Sequence, residues 1–268
     1  MSLVTLARSG YRSMRSLTEL PAHALRAVIP WRTVTIRGLR VRLRCDNWIT
    51  EWRRKTYATK EPETLDWIDR QLRDASTFFD IGANVGEFSI YAALRHPGVR
   101  VVAFEPEYAN AHLLKDNLMA NRLQDRVRVY SIALGSRTGL SHLHIQDATP
   151  GAALHTESSV VLDLTRAHKP VIWREGVYAM TLDAFCQETG LSPQCMKIDV
   201  DGTELEILEG AVRTLRSPML RSLVVEMFRE SPTHAACAQL LLDAGFHREW
   251  QHAGRSENEI WARESRAR

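Results

Sequence analysis

The stretch DIGANVG, Asp80 to Gly86, decides how the chain is read. Apolar STFF precedes it and EFSIYAAL follows with helical spacing, so the order is strand, glycine turn, helix. That order presents backbone N–H groups and the positive end of a helix to a ligand, most often a nucleotide. A dinucleotide turn reads GxGxxG, and its second glycine lets the backbone approach a pyrophosphate. Counting from Gly82, Asn84 replaces that second glycine and Gly86 arrives one residue early. Asp80 ends the strand, where a pyrophosphate would meet an unshielded carboxylate. A ligand with an ammonium and a sulfonium is attracted instead, and S-adenosylmethionine carries both. The candidate cofactor-binding residues here are Asp80, Gly82, Ala83, Asn84 and Gly86. Plainer readings stand beside these: Asp80 as a helix N-cap and Asn84 as a left-handed turn residue.

Working outward, strands and helices alternate. VRVVAFEP is a second strand, and Glu105 ends it 23 positions after Gly82, where an acidic residue takes ribose hydroxyls. EYANAHLLKDNLMANR is a helix and VRVYSIALG a third strand, with Ser131 and Ala133 expected beside the adenine. GLSHLHI reads as an additional strand, and residues 146–177 as a long irregular loop. In that loop Trp173 reads as a core anchor rather than a sugar platform; His142 and His144, on GLSHLHI, read as the polar face of a strand. TLDAFCQETG is a helix capped by Thr181 or Asp183 and ended by Gly190. QCMKIDV is a strand feeding the helix TELEILEGAVRTLRS; LRSLVVEMF and THAACAQLLLDAG repeat the unit. FHREWQ and NEIWARE close as an antiparallel pair. Repeated βα units predict a doubly wound, mainly parallel sheet with an antiparallel C-terminal strand, binding ligands at the strands' C-terminal ends.

Upstream, VTIRGLRVRLR alternates around Gly38 and predicts a β-hairpin with Ile36, Val41 and Leu43 inward. PETLDWIDRQLRD has helical spacing of Leu65, Ile68 and Leu72. The expected division is a basic extension over 1–60, helical and then hairpin, and one large domain over 61–268. Charge follows that division. Residues 1–55 hold twelve cationic and three acidic side chains, while the whole chain carries only +3, so the remainder is acidic. Such asymmetry suits an anionic surface or a solvated basic face. Cys45, Cys186, Cys195 and Cys237 form no CxxC and read as reduced thiols. The predicted location is cytoplasmic, with the N-terminus open to three readings: an interfacial helix at the inner membrane face, a transit peptide or a frayed end.

MKIDVDGTELEILEGA, Met196 to Ala211, is the second unusual run. Lys197, Asp199 and Asp201 alternate at a strand's end, where charge is affordable only if it is paired or functional. FFDIGANVGEFSI, FEPEYANAHLLKDNL, TLDAF and KIDVDGTELEILEGA together resemble the FkbM-type methyltransferases, over roughly residues 77–228. The resemblance implies a Rossmann-like class I methyltransferase fold, S-adenosylmethionine as cofactor, and O-methylation of hydroxyls on sugars, glycolipids, polysaccharides and macrolides. The family more often has Glu where Asp201 stands.

A hydroxyl is a poor nucleophile whose proton must leave. A general base is one solution: Asp199 first, then Asp201, with Lys197 orienting, and His155 or His234 arriving from a loop. A hard cation such as Mg²⁺ held by Asp199, Asp201 and Glu226 is the other. The carboxylates after the fourth strand also suit the N-terminus of the next helix with no further role. A nucleic-acid methyltransferase is the first rival, and DVDG in place of D/N-P-P-Y/F argues against it. A non-catalytic cofactor-binding scaffold is the second.

Overall fold

The computed structural model describes residues 31–73, 76–153, 155–156, 170–251 and 257–264. The basic segment over 1–30 therefore lies outside the described residues. β1 (Trp31–Ile36) and β2 (Leu39–Arg44) form the expected hairpin, turned at Arg37 and Gly38 in left-handed conformations (φ 48° and 85°). Ile36, Val41 and Leu43 are buried. Asn117, in the helix Tyr108–Ala120, and Asn121, its C-cap, dock the hairpin by accepting from the backbone N–H groups of Arg44 and Arg42, at 2.8 and 2.9 Å. Helices α1 (Trp48–Thr56) and α2 (Pro62–Gln71) follow. Asn47 caps α1 with a reciprocal Asn47–Thr50 box, and Pro62 starts α2, where a missing N–H is harmless.

The main sheet has seven strands in the order β12-β13-β11-β10-β3-β4-β5. They are β3 (Thr77–Ile81), β4 (Arg100–Phe104), β5 (Val127–Tyr130), β10 (Cys195–Ile198), β11 (Ser222–Glu226), β12 (His247–Gln251) and β13 (Asn258–Ala262). All pairs from β5 to β11 are parallel; β13 lies antiparallel to β11 and to β12. This is the Rossmann-like methyltransferase arrangement. Side-chain alternation divides the core between the sheet's faces. Phe78, Val101, Ala103 and Val224 pack with the hairpin, α2, α3 (Glu87–Arg95) and α4 (Tyr108–Ala120). Phe79, Val102, Phe104, Met196 and Val225 pack on the other face with α5 (Leu182–Thr189), α6 (Glu204–Glu209), α7 (Val212–Arg216) and α8 (His234–Asp243). Thr181 provides the N-cap of α5 and Gly190 its left-handed end.

Three sequence expectations change. VRVYSIALG is split: β5 stays in the main sheet, and β6 (Ala133–Leu134) joins a second sheet, ordered β6-β9-β7-β8. The region read as an irregular loop contains β8 (His155–Thr156) and most of β9 (Trp173–Met180), which pairs along β7 (Gly139–Ile145). Glycine and charge inside WREGVYAM hide its alternation, and the partner strand supplies the order. Trp173 is 63% exposed at its start and anchors no core. TELEILEGAVRTLRS is divided into α6 and α7 at Gly210 and Ala211, and position 210 must be glycine because a Cβ there would lie 2.1 Å from the Gly135 carbonyl oxygen.

Candidate active site

The carboxyl ends of β3, β4, β5 and β10 open into two adjoining pockets that share a wall and form the two unlike ends of the candidate cavity. Phe104, Ile132, Ala133, Leu134 and Leu143 make one end apolar. Arg53, Lys60, Glu61, Glu87 and Glu226 make the other end polar. Gly82, Asn84, Asp199 and Asp201 line both.

Gly82 is there because nothing larger fits. Its φ is +78°, and a Cβ would lie 1.8 Å from the Asp199 carbonyl oxygen. Asn84 takes φ 49°, gives its backbone N–H to Glu105 Oε2 at 2.8 Å and its side-chain N–H to the Ala152 carbonyl at 2.8 Å. Its Oδ1 is buried with no hydrogen-bond partner among the described residues. Glu105 is 5% exposed and also accepts from the Glu107 N–H at 2.9 Å. Burial pushes its carboxyl up to about 8, against the two backbone donors. Ala83 lines the polar end and Ala133 the apolar end.

Three of the expected cofactor residues do not reach this cavity. Asp80 is fully buried behind the turn, its carboxylate accepting from Ser89 Oγ at 2.6 Å. Burial raises its pKa and Lys197, its neighbour across the β3–β10 ladder, opposes the rise. The attraction expected between Asp80 and a ligand is directed to Lys197 instead. Gly86, at φ +90°, serves close packing: a Cβ would meet Leu114 Cδ1 at 2.2 Å. Ser131 takes a hydrogen bond from Lys115 Nζ at 3.3 Å in a separate outer groove with Tyr108 and Tyr178.

Lys197, Asp199, Asp201 and Glu226 do come together. Lys197 is 1% exposed, lies 4.8 Å from the Phe88 ring and contacts Asp199 Oδ2 at 2.5 Å. Burial would lower its pKa, but Asp199, Glu61 and Asp80 outweigh that and hold it above the usual lysine range. Burial pushes Asp199 up, yet Lys197, Lys60 and hydrogen bonds from Lys197 and Glu226 hold it well below the usual carboxylate range. Glu226 is driven well above its range by burial and by the charges of Asp199 and Asp201, so it carries the pair's proton. Among the described residues no group of three or more His, Cys, Asp or Glu is arranged to hold a metal ion. The Lys197 ammonium is the counter-ion of Asp199, and protonated Glu226 gives it a hydrogen bond.

Other cavity residues, His155 apart, were not legible in the sequence. The segment Thr149–Ala153 is a strap across the cavity, held by five hydrogen bonds. Asn47 gives to the Pro150 carbonyl (2.9 Å), Arg53 to that of Gly151 (2.7 Å), and Asn84 and Asn110 to that of Ala152. Gly151 N–H returns one to Asn110 Oδ1 at 2.7 Å. The strap brings His155 to the cavity, with Nδ1 buried and without a hydrogen-bond partner among the described residues. His234, the other loop histidine considered, instead contacts Glu259 at 3.0 Å in a different pocket.

A family model for the methyltransferase FkbM domain matches residues 80–248. The chain belongs to the FkbM methyltransferase family. It is 28% identical to the 31-O-demethyl-FK506 methyltransferase FkbM of Streptomyces tacrolimicus over 196 residues, 66% of this chain and 74% of that one. The methyltransferase sdnD of Sordaria araneosa is 27% identical over 191 residues, 62% of this chain and 72% of that one. The solved methyltransferase FkbM from Methylobacillus flagellatus aligns with a TM-score of 0.48 at 14% identity, covering 81% of this chain and 62% of that chain.

FkbM methyltransferases depend on S-adenosylmethionine, and the cavity's donor set fits that cofactor. The apolar end suits a flat base, the desolvated Glu105 suits paired hydroxyls, and Asn84 Oδ1 lacks the donor that an ammonium would supply. Oppositely charged groups at the polar end suit a zwitterion.

Proposed function

We propose that the protein is an O-methyltransferase acting on a hydroxyl of a sugar, a glycolipid or polysaccharide, or a secondary metabolite. The carrying observation is Asp199, an ionised carboxylate fixed between Lys197 and Glu226 at the mouth of the central strands. The relative from Streptomyces tacrolimicus, named for a demethylated oxygen, supports a hydroxyl acceptor.

Bound S-adenosylmethionine supplies a methyl carbon activated by a positively charged sulfur. The chain must align an oxygen with it, and alignment alone supplies about 7–11 kcal/mol of the barrier. In this reading Asp199 accepts the hydroxyl's hydrogen bond and aims its lone pair. A carboxylate held so far below neutral is a poor proton acceptor, because the best base has a pKa near the working pH. That favours His155 over Asp199 as the base. Burial holds the His155 imidazole below its ordinary value, and Arg53 adds to this, against the Glu107 and Asp147 carboxylates and the Ala152 backbone. It is therefore neutral at pH 7 and ready to take a proton.

Comparative mass spectrometry of glycans, glycolipids and secondary metabolites from a strain lacking the gene tests the reading. One species should lose a single methyl mass and regain it with the wild-type protein but not with Asp199→Ala. Restoration by Asp199→Ala, or a restored methyl on nitrogen, sinks it. For the recovered acceptor, His155→Gln should lower turnover about 10²–10⁴-fold. The wild-type acidic limb should fall below pH 6.5, the ordinary histidine value, because activity needs the neutral ring and burial lowers its pKa.

A further inference from the structure

Three cations line the polar end of the cavity, from three places in the chain: Arg53 of α1, Lys60 between α1 and α2, and Lys197 of β10. Two of them are committed to structure. Lys197 is enclosed and paired with Asp199. Arg53 gives Nε to the Gly151 carbonyl and Nη1 to Glu87 at 3.0 Å, tying the strap to α3. Lys60 differs. Its side chain is 43% exposed and contacts Glu61 Oε1 at 2.7 Å, and an ammonium has three N–H donors to give. It faces the Gly82–Asn84 turn across the same space, and its charge is felt by Asp199.

The lining also constrains what enters. Base and ribose fit the Phe104, Leu134 and Glu105 end, so the amino-acid chain of the cofactor runs toward Lys60. There Asn84 Oδ1 and Asp201 suit its ammonium, and its carboxylate needs a cation not already sealed in the core. We propose that Lys60, upstream of the family-matched region at 80–248, binds the carboxylate of the cofactor's methionine moiety. The N-terminal extension thereby completes the cofactor site. This rests on the methyl-donor reading of the cavity.

Calorimetry on the full chain with two probes tests it: S-adenosylhomocysteine, and 5′-methylthioadenosine, which keeps adenosine and sulfur but lacks the amino-acid head. Lys60→Met should weaken S-adenosylhomocysteine by roughly 10- to 100-fold, the range of a hydrogen bond to a charged group. It should leave methylthioadenosine unchanged, and Lys60→Arg should recover most of the loss. An equal loss for both probes would overturn the inference, making Lys60 a support of the turn. No loss for either would also overturn it and assign Lys60 to the acceptor side. Wild type that binds neither probe would remove the methyl-donor reading itself, a result distinct from a wild type that binds with Lys60 indifferent.

Discussion

The turns after β3 and β10 lie side by side, close enough that Gly82 admits no Cβ against the Asp199 carbonyl, yet only one of them carries charge. The first, Gly82 to Gly86, is shaped by backbone: two glycines and Asn84 at positive φ, with no charged side chain of its own. The second, Asp199 to Gly202, also turns through positive φ, at Asp201 and Gly202, and adds a network of charge. Lys197 pins Asp199, Glu226 carries a proton beside it, and Glu204 Oε1 accepts the N–H groups of Val200 and Gly202 at 3.3 and 3.1 Å. The lesson is that shape and charge at this site are separable, so substitutions should fail in different ways.

The largest effect is expected at the charged turn. Lys197→Met removes the ammonium and leaves Asp80 and Asp199 buried without it, a loss of about 3–5 kcal/mol when a buried pair is broken. Denaturant unfolding measures it, and a loss within 0.5 kcal/mol, the scale of an ordinary surface substitution, would show the lysine to be dispensable. Next is Gly82→Ala, about 3 kcal/mol from overpacking against backbone that has nowhere to go, with loss of S-adenosylhomocysteine binding. Gly86→Ala should be milder, about 1–2 kcal/mol for the left-handed strain, since the atom it meets is the end of a flexible Leu114 side chain. Equal losses at the two glycines would break the distinction between close approach and side-chain packing.

A pH dependence is expected from Glu204, raised to about 7 by burial against its backbone donors. The folded carboxyl binds a proton that the unfolded one releases above its ordinary value near 4.3. Its contribution is therefore full at low pH and lost as pH rises through about 7. Glu204→Gln should flatten that part of the stability profile. A profile unchanged by Glu204→Gln would assign the slope elsewhere.

Most of the fold was legible because each element carries its own signal. DIGANVG, the spacing of Leu65, Ile68 and Leu72, and Thr181 with Gly190 are local, and the structure builds each as read. β9 was missed because its order comes from pairing with β7 rather than from its own pattern. In the site, Gly82, Asn84 and Glu105 follow from spacing along one βα unit. Asp80 was misjudged because sequence puts it at the ligand's door, whereas the parallel register puts Lys197 beside it. Lys60 and Arg53 stayed invisible for a related reason: each is ordinary in its own segment and reaches the cavity through tertiary packing. Nothing in TYATKEP marks its lysine.

The most direct test of the cavity as the cofactor site is calorimetry of S-adenosylhomocysteine binding at pH 7, in two buffers of different ionisation enthalpy. Free Glu105 is largely protonated there, at about 8, and ribose hydroxyls donating to it favour the ionised form. The expected result is one-to-one binding with proton release that Glu105→Gln abolishes, and affinity that rises from pH 6 to 8. No binding, or binding with the same proton release in Glu105→Gln, would contradict it.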